Sequence, residues 1–173
     1  MSIVIGIDPG ARFVGVCVVD TSEENKVLLS STYVRPDDMP QVAWAVHAVE
    51  QVKADILTKF PGAKIGIEDV TSPQAYKNGK LQLLNPSNTI KLAIVVGAFA
   101  REIPYAVMVR PGKNGSQEVY PEVLTGVRPK TLPGVNQKAG TRNHERSAFD
   151  IALLVEGKLD EGYVLDQQKG LFD

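Results

Sequence analysis

Residues 2–7, SIVIGI, present apolar side chains to both faces of an extended chain and then stop on Asp8-Pro9-Gly10. A strand that is apolar on both faces must be central and covered on both sides. That requirement excludes a single open antiparallel sheet with one wet face. Two further strand-like runs follow at once, FVGVCVV over 13–19 and VLLSSTYV over 27–34, each after a short polar turn. Tight connections in succession predict an antiparallel meander.

The period changes after Pro40. Val42, Val46, Val49, Val52, Ile56 and Phe60 recur every three or four residues, so a helix is expected over 40–60 and ended by Pro61-Gly62. A short strand, AKIGIED over 63–69, comes next, and strand–helix–strand predicts a crossover to a parallel position. Residues 71–87 read as a loop, 88–102 as a second helix, 105–109 as a fifth strand and 143–156 as a final helix capped by Gly157. Residues 110–142 are rich in Gly, Pro and basic side chains and form the least regular stretch. The expected architecture is one α/β domain over 1–156, with a polar tail over 157–173.

Composition narrows the class. Of 173 residues, 43% are hydrophobic and 23% charged, enough to bury a core. One cysteine, Cys17, excludes an intrachain disulfide and a Cys-rich zinc site. The N-terminus lacks a signal-peptide pattern and no apolar run is long enough to span a bilayer, so a cytoplasmic protein is expected.

Two acids stand where chemistry is built. Asp8 and Glu68 each end a strand, and each has a glycine two residues earlier, Gly6 or Gly66. Positions i and i−2 share a face, so a bare patch of sheet lies beside each acid, open to close approach by a helix. Asp150, in SAFDIALLV, is the third candidate. Three converging carboxylates repel and are costly to desolvate, and divalent metal resolves both problems. An oxygen donor set without a His/Cys cluster favours Mg2+ or Mn2+, and two such ions suit phosphodiester hydrolysis. Taken singly, each acid is as readily a solvated turn residue.

IGIDPGARFVGVCVVD resembles the opening of RuvC-type Holliday junction resolvases, members of the RNase H-like (retroviral integrase) superfamily; IGIEDV and SAFDIALLV resemble that family's second acidic strand and final acidic helix. The resemblance implies a central mixed five-stranded sheet, strands 1–3 antiparallel and the rest parallel, flanked by helices. It implies a homodimeric, Mg2+-dependent endonuclease, with Mn2+ as substitute and two ions per site, that cuts four-way DNA junctions to leave 5′-phosphate and 3′-hydroxyl ends. Asp8, Glu68 and Asp150 match the acidic positions, and the divergence suggests a phage-encoded member. Ser147 stands where the family carries another acid or a His, so the fourth ligand is Ser147, Glu145, His144 or water. On an ideal helix His144 and Glu145 point about 120–140° away from Asp150.

Arg12 is a candidate phosphate contact beside Asp8. Tyr76, Lys77 and Lys80 pair an aromatic ring with cations in the loop that the family sends into the junction centre. Arg110, Lys113, Arg142 and Arg146 extend a candidate DNA track. Helix 88–102, rich in small residues, is the expected homodimer contact. Trp44 and His47 lie off the main stripe of the long helix and read as packing or surface residues.

The net charge of −1 at first opposes DNA binding. It is a sum over unlike parts: residues 156–173 carry 2 basic and 5 acidic side chains, and the remainder is net positive. The alternatives are a broader flap or fork nuclease, a non-catalytic junction binder on the same fold, and an actin-like ATPase, whose phosphate site also uses Asp-x-Gly after a first strand.

Overall fold

The computed structural model describes residues 2–23, 25–70, 74–77, 80–83, 86–109 and 141–157. β1 (Ile3–Pro9), β2 (Phe13–Asp20) and β3 (Lys26–Val34) form the meander. Helix α1 (Gln41–Val52) continues into a π-helical turn over Lys53–Leu57 and leads to β4 (Lys64–Glu68). A small hairpin follows, β5 (Gln74–Lys77) and β6 (Lys80–Leu83). Helix α2 (Pro86–Glu102), β7 (Val107–Val109) and helix α3 (Thr141–Val155) complete the described chain.

The main sheet has the order β3-β2-β1-β4-β7. β1/β2 and β2/β3 are antiparallel, whereas β1/β4 and β4/β7 are parallel. β1 is central, as its two-sided apolarity requires. Ile5 and Ile7 join Val14, Val16 and Val18 against Trp44, Val49 and Val52 of α1 and Val95 and Phe99 of α2. Val4, Cys17 and Val19 face the other way and pack on Ala148, Phe149, Ala152 and Leu153 of α3. The sheet is thus the middle of three layers.

Three expectations are corrected. The loop over 71–87 contains an antiparallel hairpin that pairs Lys77 with Lys80. Asn78-Gly79 lies between those residues, a pair suited to two-residue hairpin turns, and was the overlooked signal. Helix α1 buries a different stripe. Trp44, Ala45, Ala48, Val49, Val52 and Ile56 are buried, while Val42 and Val46 are 64% and 51% exposed. The largest ring on the helix covers most sheet, so burying Trp44 sets the rotation. Ile90 of α2 is exposed too, at 62%. β1 also runs through Asp8 to Pro9, so Asp8 is a strand residue rather than part of a turn.

Gly62 (φ 81°), in the turn between the long helix and β4, and Gly157 (φ 67°), just after α3, adopt the left-handed conformation. Arg110 and Lys113, with the rest of the stretch 110–140 and the tail 158–173, lie outside the described residues.

Candidate active site

Asp8 and Glu68 sit at the carboxyl ends of neighbouring parallel strands. The register pairs Gly6 with Gly66 and Ile7 with Ile67, so the two acids are next in line on the same face. Adjacent strands lie about 4.8 Å apart. Asp8 is 5% exposed and Glu68 half-buried. Two carboxylates held this close repel unless a cation or proton intervenes.

Helix α3 crosses this face on bare backbone. A Cβ on Gly6 would overlap the Ala148 carbonyl, one on Gly15 the His144 carbonyl, and one on Gly66 the Val155 side chain. The helix runs antiparallel to β1. Ala148 lies over Gly6, His144 lies at Asp8, and Glu156 accepts a hydrogen bond from Ser2 Oγ at 2.8 Å. Four helical residues rise about 6 Å, and two strand residues about 6.6 Å. Steps of four on α3 therefore match steps of two on β1.

His144, not Asp150, is the α3 side chain that meets Asp8. Its Nδ1 is 2.8 Å from Asp8 Oδ2. An ionised carboxylate only accepts, so Nδ1 carries the proton, and in the neutral ring Nε2 is left as an acceptor. The imidazole leans on the Phe13 ring at 5.5 Å between centroids. Arg12 also lies over that ring, 5.8 Å from its centroid, while its Nη2 donates to Asp37 Oδ1 at 2.9 Å. Both members of that ion pair are exposed, so it is weak and exchangeable for a phosphate.

Asp150 is fully buried six residues further along α3, about 9 Å down the axis from His144. Glu145 is also fully buried and turns to β3, where it accepts hydrogen bonds from Ser30 Oγ at 3.0 Å and Thr32 Oγ1 at 2.8 Å. β3 lies two strands from β1, so Glu145 points away from Asp8. Burial, then the charges of Glu145 and Asp150, push the Cys17 thiol well above its usual range, which keeps it protonated and inert. Ser147 is buried, 7% exposed. The side chains of Tyr76, Lys77, Lys80, Arg142 and Arg146 lie outside the described part; the backbone puts the first three on the β5–β6 hairpin and the last two in the first turns of α3.

Trp44 adds a brace that the sequence reading passed over. Its Nε1 donates to the Gly10 carbonyl at 3.4 Å, tying α1 to the turn that follows Asp8. A tryptophan off the apolar stripe of an otherwise regular helix was the available signal.

Among the described residues no three His, Cys, Asp or Glu side chains are gathered closely enough to form a ready-made metal cluster. The donor set at the strand ends nevertheless fits a divalent ion in kind: two carboxylates in register, with an imidazole on one of them. Carboxylates that ligate metal are themselves held by hydrogen bonds at such centres.

A mixed sheet of this order, covered by two helices on one face and an acid-bearing helix on the other, defines the RNase H-like nuclease fold. The chain belongs to the crossover junction endodeoxyribonuclease RuvC family, whose profile matches residues 4–108. That family is divalent-metal dependent and makes this chain an endodeoxyribonuclease. Among solved structures, Thermus thermophilus RuvC in complex with Holliday junction substrate is similar at TM-score 0.58 and 19% identity, covering 92% of this chain and 97% of that one. A second Thermus thermophilus RuvC structure is similar at TM-score 0.54 and 19% identity, with 90% and 95% coverage. Comparison with curated protein sequences finds no match. No helix among the described residues is long and apolar enough to cross a membrane.

Proposed function

We propose that this chain resolves four-way DNA junctions by hydrolysing one phosphodiester on each of two opposed strands, leaving 5′-phosphate and 3′-hydroxyl ends. The observation that carries the reading is the pair Asp8 and Glu68, in register at the ends of parallel strands, with His144 hydrogen-bonded to Asp8. Asp8 and Glu68 would hold Mg2+ or Mn2+, two ions per site. Bound there, such ions supply the Lewis acidity that activates water and offsets charge on the leaving oxygen. Asp8 keeps its ligating oxygen oriented through the His144 bond, and the Phe13 ring shields one side of that bond from solvent.

Resemblance offers Asp150 as the third group and contact offers His144; the contact favours His144. Glu145 is committed to Ser30 and Thr32 rather than to metal. Arg12, the β5–β6 hairpin with Tyr76, Lys77 and Lys80, and Arg110, Lys113, Arg142 and Arg146 form the proposed DNA track. The nuclease unit is taken as residues 1–156 and the rest as a tail, in a compartment that holds DNA.

A homodimer is proposed through α1 and α2. Gln41 Nε2 donates to the Lys91 carbonyl at 3.2 Å, which sets the exposed Val42 and Ile90 at the same end of the helix pair. Two sites related by a two-fold axis suit two symmetric cuts.

The test is cleavage of a synthetic four-way junction beside linear duplex and flap DNA, with Mg2+, Mn2+ or chelator. Paired symmetric nicks that a ligase can seal are expected on the junction alone. Asp8→Asn and His144→Ala should each lower cleavage by about 100-fold or more while junction binding persists, as loss of an essential group does. Asp150→Asn should act mainly on stability. Equal cutting of linear duplex, or a fully active Asp8→Asn, would sink the proposal; preferred cutting of flaps would move it to a fork nuclease.

A further inference from the structure

Glu145 is fully buried, a charged group one residue from His144 on the first turns of α3. Its two oxygens accept from two hydroxyls, Ser30 and Thr32, on the same face of β3. Hydroxyl donors satisfy a carboxylate's lone pairs. A buried carboxylate is poor glue, because removing it from water is costly and an apolar residue of similar volume holds a helix at least as well. Nearby positions on the same helix, Phe149 and Leu153, are apolar and do so. Glu145 therefore has to supply something that apolar contact does not.

What it supplies is register. The sheet beneath α3 is glycine on three adjacent strands, Gly6, Gly15 and Gly66. At these three positions bare backbone lets the helix come close and offers no side-chain ridge to set its axial position. A slip of one residue shifts a helix by about 1.5 Å and turns it by about 100°. Such a slip would carry His144 off Asp8. Hydrogen bonds are directional and apolar contacts are not, so a two-point bond to β3 fixes both rotation and height.

We infer that Glu145, clamped by Ser30 and Thr32, is a positioning residue that sets the register of α3 and thereby holds His144 on Asp8. The inference rests on the reading of Asp8 and His144 as part of the active site.

Three full-length variants test it: Ser30→Ala/Thr32→Val, Thr32→Val alone, and Thr32→Ser as the conservative control. The first readout is the 15N resonances of the His144 imidazole in metal-free protein. The wild type should show a single Nδ1-protonated ring, and the clamp variants a mixture of tautomers. The second is the Mn2+ concentration for half-saturation, followed by EPR, which should rise about tenfold or more when an outer positioning contact is lost. In cleavage, kcat should fall with it while the junction Kd is unchanged. Thr32→Ser should restore all three.

A folded double variant with wild-type imidazole resonances and wild-type Mn2+ half-saturation would overturn the inference. Should the double variant not fold, Thr32→Val carries the same judgement, since it keeps the Ser30 bond and Thr32 is only half-buried. If the wild type cuts no branched DNA, the nuclease reading fails, and the imidazole resonances still decide whether the clamp sets the helix.

Discussion

Gly6 shows how much one missing methyl group decides. A Cβ there would overlap the carbonyl of Ala148 and crowd the amide of Ala152, and both are backbone atoms that cannot rotate away. Gly6→Ala should force α3 off the sheet, at a cost of about 1–3 kcal/mol or more, as overpacking does. For a chain of this length that corresponds to a fall in Tm of about 2–4 °C per kcal/mol, readable by calorimetry. Cleavage should fall further than stability does, because the displaced helix carries His144. A Gly6→Ala variant of wild-type Tm and activity would mean that α3 does not lie where it is described.

The helices set what faces what. In α1 the apolar residues form two overlapping stripes, and Trp44 selects the one that goes inward. Val42 and Val46 are left outside on α1, as Ile90 is on α2. Exposed apolar side chains gathered on one helix pair mark an association surface. Ile90→Glu combined with Val46→Glu should convert a dimer to a monomer in sedimentation velocity, with the thermal midpoint little changed because neither position is in the core. A monomeric wild type would end the dimer proposal. The end of α3 was readable from Gly157, whereas the long helix stops at Leu57, short of the Pro61-Gly62 breaker. The hairpin at Gln74–Leu83 was missed because each of its strands is only four residues long, too short for alternation to separate it from a loop, and the Asn-Gly pair was the clearer sign.

At the scale of the molecule, charge argues for selectivity by shape. The chain is net −1, and even without the acidic tail the excess of basic residues is small. Few phosphate contacts give a shallow fall of affinity with salt. Junction binding should therefore lose less than linear duplex binding between low and moderate salt, as measured by fluorescence anisotropy. Equal and steep slopes for both would show that affinity is generic and that shape contributes little.

The sequence by itself determined the layers and their order. Two-sided apolarity made β1 central, short turns made the meander antiparallel, and the change of period before AKIGIED made the next strand parallel. It also put each of Asp8 and Glu68 on the face of its own glycine, because side-chain direction along a strand alternates strictly, and the parallel register of Gly6 with Gly66 then set the two acids side by side. The tertiary structure alone decided which part of α3 reaches Asp8. SAFDIALLV and the helical period are compatible with either Asp150 or His144 at that point. The choice follows from Ala148 seated over Gly6, Glu145 bonded to β3 and Glu156 bonded to Ser2. Helix register on a glycine-lined sheet is fixed by contacts between residues more than a hundred positions apart, and no local pattern encodes them.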